Sequence, residues 1–165
     1  MRNKYWMAFY DVKVASFYYQ LYGLSSSRWR KAISILCTLT SIGFVASSFF
    51  SKTYPTAWAF LTFICQLVLA YQPFSSFSKR EAAAEYIFED LQILALEAEE
   101  KWDVVKGSSD GDEVKSLAYE LRKRQDAIEG RFATVDTFPM NDLLHWLAQK
   151  KTNNYFRRFE HEYER

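Results

Sequence analysis

The sequence predicts an all-α membrane protein: a two-helix transmembrane hairpin, preceded by an aromatic helix and followed by a cytoplasmic helical bundle. Three observations predict it. No Asp, Glu, Lys, Arg or His occurs from Ala32 to Ser51 or from Thr53 to Ser78, and Lys52 alone separates the two runs. Each run reaches the roughly 20 apolar residues that a hydrocarbon core of about 30 Å requires. Arg28, Arg30 and Lys31 stand before the first run and Lys79 and Arg80 after the second, and positive charge beside a span favours the cytoplasmic side. Both termini are therefore expected to be cytoplasmic. The mean hydropathy of the whole chain is slightly negative, −0.25, because the charged residues are segregated outside these runs.

The organisation expected is an amino-terminal aromatic helix in residues 1–27, a hairpin in 28–78 with spans at 32–51 and 55–77, and a cytoplasmic helical domain in 79–165. Residues 3–22 carry aromatic side chains distributed round the helix, which favours packing against later helices over lying flat on a membrane surface. Gly23 and Ser25-Ser26-Ser27 predict a break before the first span. A cleaved signal peptide is excluded as the reading of residues 32–51, because a charged aromatic segment precedes the run and no small-residue cleavage pattern follows it. Two uncharged runs of this length also exceed what so small and polar a remainder can bury. Pro55 suits the first turn of the second span. Trp29, Tyr54, Trp58 and Tyr71 fall at expected interfaces, where amphipathic rings settle.

Beyond Lys79 the pattern becomes amphipathic. Ala84, Ile87, Phe88, Leu91, Leu94, Ala95, Ala98, Trp102 and Val105 recur at helical steps, with acidic residues between them. Gly107 to Gly111 predicts a turn. Val114, Leu117, Ala118, Leu121, Ile128 and Phe132 predict a second helix over 112–133, returning antiparallel. Phe138-Pro139 breaks it, and Asn141 or Asp142 is placed to cap a last helix. A bundle this small with this much apolar surface is expected to be completed by copies of itself, and a tetramer is the working number.

The chemistry-bearing motifs of enzymes are missing: there is no phosphate-cradling glycine loop, Cys-x-x-Cys, His-Glu-x-x-His or nucleophile elbow. No catalytic residue, metal ligand or cofactor is therefore assigned, and the chain is not expected to be an enzyme. His145 reads as a packing or surface residue. Cys37 and Cys65, both within the runs, read as small packing residues. Ser34, Thr38, Ser41 and Ser48 fall near one face of the first run, and Gln66 lies midway along the second. Polar residues in a span face water or protein, so these five are the candidate pore-lining or gate residues. Serine and threonine bonding their own helix is the competing reading. Repeated copies of Glu81, Glu85 or Glu89 near a pore mouth would give a weak cation preference. Arg122 and Arg124, in Arg122-Lys123-Arg124, and Arg157 and Arg158, in Tyr155-Phe156-Arg157-Arg158-Phe159, are the candidate phosphate-binding residues. Alternation of basic and aromatic residues suits stacking on a base, and it equally describes a packing helix with a charged face.

The order of these features resembles the SLATT family of bacterial two-span effectors. The resemblance runs from Asp11 to Glu100: the aromatic helix, Tyr22-Gly23-Leu24, Trp29-Arg30-Lys31-Ala32, the hairpin, then Phe77-Ser78-Lys79-Arg80-Glu81-Ala82-Ala83-Ala84 and a long amphipathic helix. It implies a homo-oligomeric pore of antiphage defence in the bacterial inner membrane, in contact with lipid. It further implies control by a nucleotide or oligonucleotide, made by a partner nucleotidyltransferase, and ion leakage that arrests growth. The alternative is a non-conducting membrane anchor that recruits a partner protein.

Overall fold

A computed structural model of the 165-residue chain describes residues 2–46, 55–71, 76–108, 110–132 and 141–163. They form five helices, α1 (Arg2–Ala46), α2 (Pro55–Tyr71), α3 (Ser76–Gly107), α4 (Gly111–Phe132) and α5 (Asp142–Tyr163), with no strand among the described residues.

The aromatic residues of the first twenty-odd positions are spread round their helix because that helix is packed on three sides. Tyr5, Phe9 and Val12, at three- and four-residue steps, are buried against α3 residues Ile87, Leu91, Leu94, Ala95 and Ala98 in one apolar cluster. Burying each large apolar side chain there stabilises the fold by roughly 1.5–3 kcal/mol. The Tyr5 hydroxyl donates to the carbonyl of Ala98 at 3.0 Å, and Arg30 reaches Glu81 at 3.2 Å. Low positions of α1 thus meet high positions of α3, so the two run antiparallel. The other sides of α1 carry α4, through Asp11 and Arg122 at 3.8 Å, and α5, through Tyr10 and Asn153 at 2.9 Å. Arg124–Glu97 and Arg131–Asp90 join α4 to α3 in antiparallel register.

The helix ends follow from local chemistry. Asp110 accepts from the amide of Asp112 at 2.9 Å and opens α4, with Asp112 and Glu113 in its first turn where negative charge meets the positive end of the helix. Asn141 caps α5, its Oδ1 accepting from the amides of Leu143 at 3.1 Å and Leu144 at 3.3 Å. The expected Phe138-Pro139 break lies outside the described residues.

The break expected at Gly23 to Ser27 does not occur. α1 passes straight through, and no described residue has a positive φ. One glycine and three serines cost only about 1 kcal/mol and a few tenths each relative to alanine. The packing of the preceding turns, from Tyr5 to Ser16, holds the helix that continues through it.

The transmembrane hairpin is the larger correction. Among the described residues no helix is long and apolar enough to cross a membrane. α2 has 17 residues, about 25 Å at the helical rise, and the uncharged part of α1 from Ala32 to Ala46 covers roughly 22 Å, against a core of about 30 Å. The rest of α1 carries Lys13, Arg28, Arg30 and Lys31. The membrane reading also counted positions 47–51 and 72–75, which, like Lys52 and Tyr54, lie outside the described residues. Everything built on the spans is overturned with them. That covers the channel or pore and its gating, the membrane-anchor alternative, lipid as a partner, and the inner-membrane placement with both termini cytoplasmic.

Candidate ligand cleft between α1 and α5

α5 has two faces at helical spacing. Ala148, Thr152 and Phe156 are buried on one of them, against α1, and the Thr152 hydroxyl is satisfied by the carbonyl of Ala148 at 2.9 Å. Trp146, Lys150, Asn153 and Arg157, at steps of four, three and four, line a cleft of about 620 Å³ with Trp6 and Tyr10 of α1. Gln149, Asn154 and Phe156 complete its wall.

The floor is aromatic and held in place from several sides. Trp6 lies 4.6 Å from Phe156 and 4.8 Å from Trp102 between ring centres. Phe9 meets Phe156 edge-on at 5.1 Å, and Tyr10 stacks on it at 5.7 Å. Tilted and edge-to-face pairs at these spacings are the favoured arrangements of aromatic quadrupoles. They fix the floor before any ligand arrives.

The rim is positive. Lys150 carries its ammonium 5.2 Å from the centre of the Trp146 ring, and Arg157 is exposed at the other end. Among the described residues the lining contains no carboxylate, imidazole or thiol. The amides add direction, because Asn153 spends its carbonyl oxygen on the Tyr10 hydroxyl and its amino group is left as a donor. The cleft therefore offers ring faces below and N–H donors with two cations above.

The structure separates the four expected phosphate-binding residues. Arg157 is in the cleft and Arg158 is exposed outside its lining. Arg124 makes a two-pronged pair with Glu97, one prong at 3.1 Å, and Arg122 faces Asp11. Both are committed to holding α4 on its neighbours. Hydrogen bonding from the Arg124 guanidinium holds the Glu97 carboxyl below the usual range. The sequence reading missed Trp6, Tyr10, Trp146, Gln149, Lys150, Asn153 and Asn154. The spacing of Trp146, Lys150, Asn153 and Arg157 was the available signal within α5; nothing local pointed to α1.

Of the five expected pore residues, Ser34, Thr38 and Ser41 lie on α1 and Gln66 on α2. The Thr38 hydroxyl donates to the carbonyl of Ser34 at 2.8 Å, a bond within its own helix. Ser41 lies further along α1, Gln66 is exposed on α2, and Ser48 lies outside the described residues. Cys37 and Cys65 are buried on α1 and α2, neither of them in a disulfide. Among the described residues no group of three or more His, Cys, Asp or Glu could hold a metal ion. No family model matches the chain, and neither a curated protein nor a solved structure matches it.

Proposed function

We propose that this chain is a helical binding domain whose α1–α5 cleft takes a small anion bearing an aromatic ring. The observation that carries the reading is that Lys150, Arg157 and the Asn153 amide line one cleft with Trp6, Tyr10 and Phe156, with no carboxylate among its described lining residues. Two cations and an amide donor suit a phosphate or carboxylate group, and the indole and phenol faces suit a planar ring. These groups bind and orient. The aromatic floor and the two cations of the lining support a reading of the chain as a binding protein. The resemblance carried by Asp11 to Glu100 contributes nothing to it, because the pore it implied needs spans that the described helices do not supply.

Phenyl phosphate, phenol and inorganic phosphate, titrated in turn against tryptophan fluorescence and calorimetry, test the reading. Phenyl phosphate binds tightest of the three. Arg157→Glu and Lys150→Glu each weaken it roughly tenfold, about 1.4 kcal/mol, while Arg158→Glu leaves it within about twofold. All three side chains are exposed, so these variants keep the fold. Equal losses at Arg157 and Arg158 would mean a diffuse charge effect, and no binding of phenyl phosphate would end the proposal.

A further inference from the structure

Tyr10 and Gln149 also line a second cleft, of about 440 Å³, between α1, α4 and α5. Its character is the reverse of the first. Asp11 of α1 and Glu129 of α4 bring carboxylates to it from two helices, and Tyr18 and Tyr19 join Tyr10 in its wall. We propose that this cleft is a binding site for a small organic ammonium ion.

The aromatic geometry is the first argument. The rings of Tyr18 and Tyr19, 5.5 Å apart between centres and crossing at 82°, line the cleft together with Tyr10. The negative faces of such rings attract a weakly hydrated cation, and quaternary ammonium groups are held in cages of this kind. The carboxylates are the second. Glu129 is fixed by the Gln125 amide, which donates to it at 3.1 Å. Asp11 has the Arg122 guanidinium 3.8 Å away, both side chains being more than half exposed, so the cleft already draws a cation to its rim through a pair of little strength. His145, the remaining titratable group in the wall, is hydrogen-bonded to Gln149 at 3.0 Å.

The same chemistry is used inside the fold. The ammonium of Lys13 lies 4.1 Å from the centre of the Tyr155 ring and 3.7 Å from Glu99. A ring face with one carboxylate is thus enough to hold an ammonium group even where burial opposes its charge. A metal ion fits the second cleft poorly. A hard divalent cation takes six to eight oxygen ligands, and this wall supplies two carboxylates among ring surfaces.

The test uses choline and tetramethylammonium, with dimethylbutanol as the uncharged isostere of choline, each titrated calorimetrically into the full chain. Both ammonium ions bind, and the isostere binds at least about tenfold more weakly. Asp11→Asn combined with Glu129→Gln lowers choline affinity roughly tenfold. Tyr18→Phe keeps it within about twofold while Tyr18→Leu does not, since the ring face and not the hydroxyl carries the attraction. Arg122→Ala raises it a few-fold by removing the competing guanidinium. Circular dichroism of each variant confirms folding. Equal binding of the isostere, unchanged affinity in the carboxylate double variant, or displacement of choline by calcium at equal concentration would each overturn the proposal. Phenyl phosphate affinity in the carboxylate double variant stays within about twofold, so the two clefts stand or fall separately.

Discussion

Replacing Glu99 by alanine tests how this bundle tolerates a charge in its core. Lys13 is only 8% exposed, and its ammonium is met by Glu99 at 3.7 Å, by the Tyr155 ring at 4.1 Å and by the Phe9 ring at 5.9 Å. The Tyr155 hydroxyl donates to the same Glu99 carboxylate, so one carboxylate ties α1 and α5 to α3. Burial lowers the Lys13 pKa and the Glu99 charge and hydrogen bond partly restore it. Breaking a fully buried pair by deleting one partner costs about 3–5 kcal/mol. The Glu99 side chain keeps 29% of its exposure, which lets water screen part of the loss, so Glu99→Ala is expected to cost about 2–3 kcal/mol. Lys13→Met keeps the length of the side chain and removes the charge, and is expected to cost under about 1 kcal/mol or to stabilise. The double variant Lys13→Met/Glu99→Ala should then be more stable than the sum of the single effects allows. Urea unfolding followed by circular dichroism, with the slope m unchanged, reads all three. Equal losses for Lys13→Met and Glu99→Ala, or strict additivity in the double variant, would refute the account of an unpaired buried charge.

Three more outcomes follow from single contacts. Burial pushes the Tyr5 hydroxyl up to about 12 from 10.0. Between those values the unfolded chain loses this proton while the folded chain keeps it, so Tyr5 contributes stability below pH 10 that is lost as pH rises to about 12, up to roughly 2–3 kcal/mol. Tyr5→Phe should cost about 1 kcal/mol at neutral pH and flatten the alkaline fall in stability measured by thermal unfolding. Asn141→Ala should cost about 1 kcal/mol through the lost cap, with Asn141→Asp close to wild type in the same assay. Arg124→Ala should cost under about 1 kcal/mol and less in high salt, because both members of the Arg124–Glu97 pair are more than a third exposed. Denaturation in low and high sodium chloride separates that outcome from a packing loss, which salt would not reduce.

Much of the helical layout was legible in local pattern. The recurrence of Ile87, Leu91, Leu94, Ala95 and Ala98 marks the face of α3 that is buried, since a helix can only meet a neighbour along such a stripe. Gly107 to Gly111 and Asn141 fall where α3 ends and α5 begins, because caps and turns are chosen by the residues that form them. The hairpin was misread for a related reason. Absence of charge is a local property, whereas a span also needs a continuous apolar helix of sufficient length, and no described helix supplies one.

By itself the sequence determined which segments are amphipathic helices, where the last of them is capped, and that no familiar catalytic motif is present, since each depends on residues within a few positions of one another. Only the tertiary structure decided what those helices do to each other. It wrapped three helices round the amino-terminal half of α1, which accounts for aromatic side chains on every side of it. It spent Arg122 and Arg124 on Asp11 and Glu97 while leaving Arg157 over Trp6 and Tyr10. Partners more than a hundred residues apart leave no trace in local spacing. Packing brought them together, and with them both clefts.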